Sequence, residues 1–397
     1  MVESPVERLA KTHPNLEIWW DSSPLIYESW VQDMLRAADP RRKPVLEEQL
    51  RRLYVAEDPA RSVFRGSTTN PPFSLKAVQS DPAFWDRWVD ELIRAHPELG
   101  QKELFWLTYK EVVRRGAEMY WPLFEASHYQ YGWLSAQLDP RLSTEEPVMI
   151  QQAEELHAIS PNVMVKVPAT QEGIRVLKIL TAKGIPTNTT VCFTLSQMIA
   201  AARAVKEGME LAAQNGVDLS RWRSVVTMMV GRLTEREALL EQARWRGIEL
   251  SWQDIHWFGI AVFRRAYRIF QDRGYPTKLL ACSLRPGPLV AGRQRFWDIE
   301  KIAGGDIVIT LAPYALEPLF AIGDGLIWQP EIEEEVPEEV LEKMSKIPYC
   351  IQAYDPNGLS LDQFNIHPST QYMLGEFSKA AHGLEEYVGQ RMAKVRG

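Results

Sequence analysis

Cysteine is scarce in this chain. There are three, Cys192, Cys282 and Cys350, odd in number and far apart. They offer no disulfide framework and fit free thiols in a reducing compartment. Basic charge is not in excess either. The 45 lysines and arginines face 52 aspartates and glutamates, for a net charge of −7. The basic surface that nucleic-acid binding wants is missing, so no nucleic-acid partner is expected, and an anionic substrate would need a local basic pocket. No apolar run approaches the length of a membrane span. Met1 to Asn15 is charged and lacks the apolar core of a signal peptide. The expected location is therefore the cytosol, with no membrane partner. The seven histidines show no metal spacing and no H-E-x-x-H pattern, so no metal site is expected. There is also no G-x-G-x-x-G and no Walker A motif, the Gly-rich turns that an open doubly wound sheet would usually offer a phosphate.

What the chain does have is alternation. The sequence predicts short strands at 16–21, 63–69, 131–138, 163–168, 185–193, 224–230, 278–284 and 306–311. Helical runs separate them, including 145–157, 195–213 and 255–271, and one that starts at Gln171 with Thr170 as N-cap and Gly184 as its stop. Eight mostly continuous apolar runs read as parallel strands buried on both faces, and eight of them with helices between predict a (β/α)8 barrel. At 397 residues the chain is expected to be one such domain throughout. Residues about 27–60 read as a helical insertion after the first strand, and about 330–397 as a C-terminal extension. Within the extension, 330–343 is acidic and reads as a solvated helix face or linker. Residues 369–395 read as a terminal helix lying over the barrel mouth, a lid.

Lys166 stands alone in the apolar run Val163-Met164-Val165-Lys166-Val167-Pro168. Burying an ammonium is costly unless it is paired or neutralised. An amine that must be neutral and nucleophilic benefits from such a place, because desolvation lowers its pKa. Lys166 is thus a candidate Schiff-base lysine. The plainer alternative is a strand-end lysine that snorkels to solvent.

In a (β/α)8 barrel the chemistry sits at the C-terminal ends of the strands. The polar residues there are Asp21, the Ser67-Thr68-Thr69-Asn70 run, Gln137, Lys166, Asn188, Thr190, Arg232, and Ser283 with Arg285. One amine, one carboxylate, amides, hydroxyls and two arginines form a coherent set for a ketose phosphate. The lysine attacks the ketone, the carboxylate moves a proton, and two guanidinium forks suit a phosphate. Plainer readings exist for several. Asp21 could cap the following helix, and Asn70 could be a turn residue before Pro71. Asn188 and Thr190 could be ordinary strand residues, and the arginines could pair with surface carboxylates. Ser283 has no histidine partner in a nucleophile motif. His157 and His256 read as helix-surface or packing residues.

Four segments together resemble the transaldolase family. Gly66-Ser67-Thr68-Thr69-Asn70-Pro71 is similar to its strand-two motif, and Val165-Lys166-Val167-Pro168-Ala169-Thr170-Gln171-Glu172-Gly173-Ile174 to its Schiff-base segment. Gly184-Ile185-Pro186-Thr187-Asn188-Thr189-Thr190, leading to Phe193 and Gln197, resembles its strand-five segment. Val230-Gly231-Arg232 and Ser283-Leu284-Arg285 resemble its phosphate-binding arginine pair. Asp21 falls where the family places its catalytic aspartate, and Gln363-Phe364-Asn365 with the helix after it resembles its C-terminal lid.

The resemblance implies transfer of a dihydroxyacetone unit from a ketose phosphate to an aldose phosphate. The implied catalytic set is Lys166, Asp21, Gln137 and Thr190. Thr68, Asn70, Asn188, Thr227, Arg232, Ser283 and Arg285 are the implied substrate contacts. An iminium would be the electron sink, so no cofactor is implied. The implied partners are sugar phosphates, with a homodimer left open. Three positions depart from the pattern. Gln137 stands where transaldolases carry a glutamate, as it does in the related fructose-6-phosphate aldolases, which release dihydroxyacetone. Met229 stands where those aldolases have a tyrosine, and Thr227 where transaldolases have a serine. Simple aldol cleavage and a non-catalytic sugar-phosphate-binding barrel are therefore the alternatives.

Overall fold

The computed structural model describes residues 2–234 and 237–397, and the backbone alone at Asp324. Eight parallel strands close into a barrel: β1 (Glu17–Trp20), β2 (Phe64–Thr68), β3 (Trp133–Gln137), β4 (Val163–Pro168), β5 (Thr187–Cys192), β6 (Ser224–Met229), β7 (Lys278–Cys282) and β8 (Val308–Leu311). Each lies beside its sequence neighbour, and β8 closes the ring onto β1 through Glu17↔Val308 to Trp20↔Leu311. With helices around it this is the (β/α)8 barrel that the alternation predicts. The strands are a little shorter than the apolar runs, because the run ends turn away into the loops.

β4, β5 and β6 are buried at every position, as strands packed on both faces must be. β5 is Thr-Asn-Thr-Thr-Val-Cys and still lies inside, because some of its polar groups bond to neighbours, as Thr187 does to Ser224. The helix Gln171–Ala182 begins where expected, with Thr170 Oγ1 accepting the Gly173 N–H at 3.0 Å. Thr194 and Gln197 form a capping box at the head of the helix Leu195–Gln214.

Alternation along β1 decides much of the interior. Trp20 faces outward into an aromatic cluster with Tyr27, Trp30 and Phe64. That cluster anchors the helices Tyr27–Ala37 and Lys43–Leu53 of the expected insertion. Glu17 faces inward at the barrel floor, where Arg223 at 2.5 Å and Lys278 at 2.9 Å bind its carboxylate. Those two cations hold the buried Glu17 at about 2, against the upward push of its burial. Asp21, past the other end of the strand, faces the mouth.

The terminal helix Pro368–Arg396 does only part of what a lid would do. Two contacts tie it to the mouth: Gln197 donates to Thr370 Oγ1 at 3.3 Å near its start, and Arg141, just beyond β3, pairs with Glu385 past its midpoint. It then packs along the helices Pro71–Ser80, Pro82–Ala95 and Gln101–Ala126, with Arg391 bound to Asp86 and Asp90. At its N-cap, His367 is stacked between Phe193 and Tyr349, with ring centroids at 6.2 and 5.4 Å. Neither ring nitrogen has a partner among the described residues, and burial pulls this imidazole down to about 4.

The acidic stretch is less free than its charge suggests. The side chains of Glu333, Glu334 and Glu335 are exposed, but Arg264 and Arg268 donate to the backbone carbonyls of Glu333 and Glu334 and strap the segment down. Among the described residues no helix is long and apolar enough to cross a membrane.

Candidate active site

Lys166 is 5 % exposed, so its side chain does not snorkel to bulk solvent. Its Nζ donates to the Thr69 carbonyl at 3.1 Å, just beyond β2. Burial pulls the ammonium below its ordinary range, while the neighbouring Cys282 and the Asp21 carboxylate oppose that shift. Asp21 shows the complementary effect. Burial pushes its carboxyl up, and Lys166, the Thr68 and Thr310 hydroxyls and Arg285 pull it down. Asp21 does not cap the next turn, which Ser23 does. Its Oδ1 instead accepts the Thr68 hydroxyl at 2.7 Å. An amine biased toward neutrality thus lies within electrostatic reach of a carboxylate at the mouth of the barrel.

Below them lies a polar layer. The Asn188 amide donates to Ser135 Oγ at 2.9 Å, and Asn188 Oδ1 accepts the Thr227 hydroxyl at 2.6 Å. Ser135 is on β3, Asn188 on β5 and Thr227 on β6, so these bonds span the interior. By alternation Gln137 and Thr190 point the same way one step nearer the mouth. Gln137 Oε1 and Thr190 Oγ1 are buried and have no hydrogen-bond partner among the described residues. Buried polar atoms of this kind ask for a water or a ligand group. Immediately after Thr190, Val191 takes φ +53°, unusual for a β-branched residue, and the β5–β6 register shifts there. The bulge re-aims the end of β5.

The phosphate candidates lie at the adjacent strand ends. Arg232 is in the short helix Val230–Leu233 that follows β6. Arg285 follows β7 after Ser283, which takes φ +58°, and its guanidinium lies 5.2 Å from the Tyr314 ring centre. A Cβ on Gly231 would come within 2.3 Å of the Ser283 carbonyl, so the two arginine segments pack backbone to backbone. Ser283 itself contacts Cys282 Sγ at 3.7 Å. Burial pushes the Cys282 thiol up to about 12. Asn70 follows the turn reading in one respect: its Oδ1 accepts the Phe73 N–H at 2.9 Å and caps the next helix.

Three residues of this site escaped the reading of the sequence. Ser135 holds Asn188, Thr310 lies against Asp21, and Cys282 lies beside Lys166. Ser135 was within reach, since it sits two positions before Gln137 and shares its face. Thr310 was a polar break in the apolar run Ile307-Val308-Ile309-Thr310-Leu311. The described residues hold no group of three or more His, Cys, Asp or Glu placed to bind a metal ion.

The family described as transaldolase/fructose-6-phosphate aldolase matches residues 52–359 of the chain. A transaldolase of Mycobacterium ulcerans (strain Agy99) is 35% identical over 211 residues, 52% of this chain and 55% of that protein. One from Mycobacterium bovis (strain BCG / Pasteur 1173P2) is 33% identical over 211 residues, again 52% and 55%. One from Thermobifida fusca (strain YX) is 31% identical over 206 residues, 51% and 52%. The chain spans about half the length of these relatives. Asp21 and the terminal helix Pro368–Arg396 lie outside the family-matched stretch.

Proposed function

The chain belongs to the transaldolase/fructose-6-phosphate aldolase family, and from that premise we propose that it transfers a dihydroxyacetone unit between sugar phosphates through a Schiff base on Lys166. The carrying observation is the buried Lys166 amine, biased toward neutrality and within electrostatic reach of the Asp21 carboxylate. The neutral amine adds to the ketone carbon of a ketose phosphate, and loss of water leaves an iminium. Asp21 takes the proton of the C4 hydroxyl. The C3–C4 bond breaks, its electron pair passes to the iminium, and an aldose phosphate leaves. The remaining enamine attacks the aldehyde carbon of an acceptor, whose oxygen takes up the proton. Hydrolysis of the new iminium frees the lysine. Gln137 and Thr190 position the water, Asn70 and Asn188 hold the dihydroxyacetone end, and Arg232 and Arg285 hold the phosphate.

Gln137 favours a second outcome. A glutamine orients water but takes no proton, so the enamine could be protonated and hydrolysed to release dihydroxyacetone in place of transfer. Reduction with borohydride in the presence of a ketose phosphate tests the shared step. The expected result is a three-carbon adduct on Lys166, absent in Lys166→Ala together with turnover. An adduct on another residue, or full turnover in Lys166→Ala, overturns the proposal.

A further inference from the structure

His256 lies in the second turn of the helix Trp252–Arg273, beside the candidate phosphate arginines. Its Nδ1 is 2.6 Å from Asp298 Oδ1. The other oxygen of Asp298 accepts the backbone N–H of Arg285 at 2.8 Å. Asp298 is 1 % exposed, so this carboxylate is committed to joining the two. A Cβ on Gly231 would stand 3.3 Å from Asp298 Oδ2, which places the same carboxylate against the Arg232 segment.

With Nδ1 on Asp298, the imidazole presents Nε2 on its opposite edge. That edge faces Gly287, which takes φ +139° and where a Cβ would stand 2.7 Å from Nε2. Glycine there puts no side chain over the nitrogen, the His256 side chain is 10 % exposed, and among the described residues the ring's one hydrogen bond is that between Nδ1 and Asp298. His256 and Arg285 both line one cleft of about 570 Å3, with Gln253 and Gln294 as further polar walls. In its doubly protonated form the ring donates Nδ1–H to the buried carboxylate and keeps Nε2–H to donate to an anionic oxygen in a cleft it shares with an arginine.

We propose that His256 is a third phosphate-recognising residue of this site, binding a phosphate oxygen through Nε2 beside Arg285, with Asp298 as the positioning residue that orients both. This rests on reading Arg285 as a phosphate contact. The ligand class is a phosphate monoester, and inorganic phosphate is the ligand to measure first.

Two substitutions separate the ring's two edges. Glutamine at 256 keeps an amide nitrogen near the Nε2 position, and asparagine keeps one near Nδ1. Binding of inorganic phosphate to the full chain is measured by calorimetry. His256→Asn should weaken it roughly tenfold, the worth of a charge-assisted hydrogen bond. His256→Gln should change it less than about threefold. The reverse order, equal affinities in both variants and the unsubstituted chain, or no phosphate binding at all overturns the inference. A structural role through Asp298 alone would give the reverse order. Should His256→Asn fail to fold, nitrogen NMR of the unsubstituted chain decides the point. Phosphate should shift Nε2 of the histidine signal absent from His256→Gln, and an unmoved signal overturns the inference. If phosphate binds in the expected order but no ketose phosphate is cleaved, the proposed reaction fails and this site stands.

Discussion

Ser135 Oγ and the Asn188 amide nitrogen meet at 2.9 Å, passing the inner face of β4, the strand between them that carries Lys166. Thr227 binds the other end of the same amide. Asn188 is therefore fixed at both ends before any substrate arrives, and such pre-organisation lowers the cost of binding.

Removing that anchor has a definite consequence. Ser135→Ala leaves a buried amide donor unpaired and should cost about 1–3 kcal/mol of stability. It should also raise KM several-fold, because Asn188 regains freedom. Urea unfolding and steady-state kinetics check both. Unchanged values in both would show that the bond is idle.

Asp21→Asn should slow carbon–carbon cleavage roughly 10²–10⁴-fold, the usual worth of a positioned proton acceptor. Imine formation should survive. The Asp21 charge raises the Lys166 amine against the downward pull of burial, so its removal lets the amine fall further. The rate of borohydride trapping in the variant should hold to lower pH than in the parent chain. An acid limb that stays put or moves upward contradicts the coupling.

Among the described residues, Gln137 Oε1 and Thr190 Oγ1, above the Asn188 layer, have no hydrogen-bond partner. Gln137→Glu places a proton-accepting group there. Free dihydroxyacetone should fall relative to transferred product when an acceptor aldehyde is supplied. A partition equal to that of the parent chain would count against a role for this residue in it.

Acid stability should fall in two successive, slightly overlapping windows. Glu17 is held at about 2 by Arg223 and Lys278, below the ordinary 4.5. A depressed carboxylate stabilises the fold above its unfolded value, so its contribution, ~3 kcal/mol, is lost as pH falls from about 4.5 to about 2. Glu17→Gln should remove that slope in urea titrations. It should also lower stability at pH 7 by roughly 3 kcal/mol, since two cations lose their partner.

His367 acts at higher pH. Burial depresses it from 6.5 to about 4, so the unfolded chain binds its proton first. Its contribution, again ~3 kcal/mol, is present above about 6.5 and lost as pH falls toward about 4. His367→Phe should stack between Phe193 and Tyr349 and flatten stability between pH 7 and pH 4.5. An unchanged slope would place the titration elsewhere.

The barrel was legible because its strands are buried on both faces and so read as apolar runs. Lys166 stood out for the same reason, as a lone charge with apolar residues on both sides of it. Asp21, Gln137, Asn188 and Arg285 were picked out as candidates by asking what is polar at a strand end. Two kinds of feature stayed hidden. Contacts between distant segments leave no local pattern, so His256 read as a packing residue although Asp298, 42 positions away, engages its imidazole. Direction of travel was hidden too. The 369–395 pattern gave a helix, but only tertiary pairs such as Arg391 with Asp86 and Asp90 carry its last turns away from the mouth.

β1 places its ion cluster and its candidate catalytic carboxyl, Asp21, four residues apart on the same inward face, roughly 13 Å by strand rise. The bolt that closes the cylinder is thereby remote from the rim where specificity is decided. Under the proposed reaction, libraries that vary Gln137, Thr227 and Met229 to admit new aldehydes leave that bolt untouched.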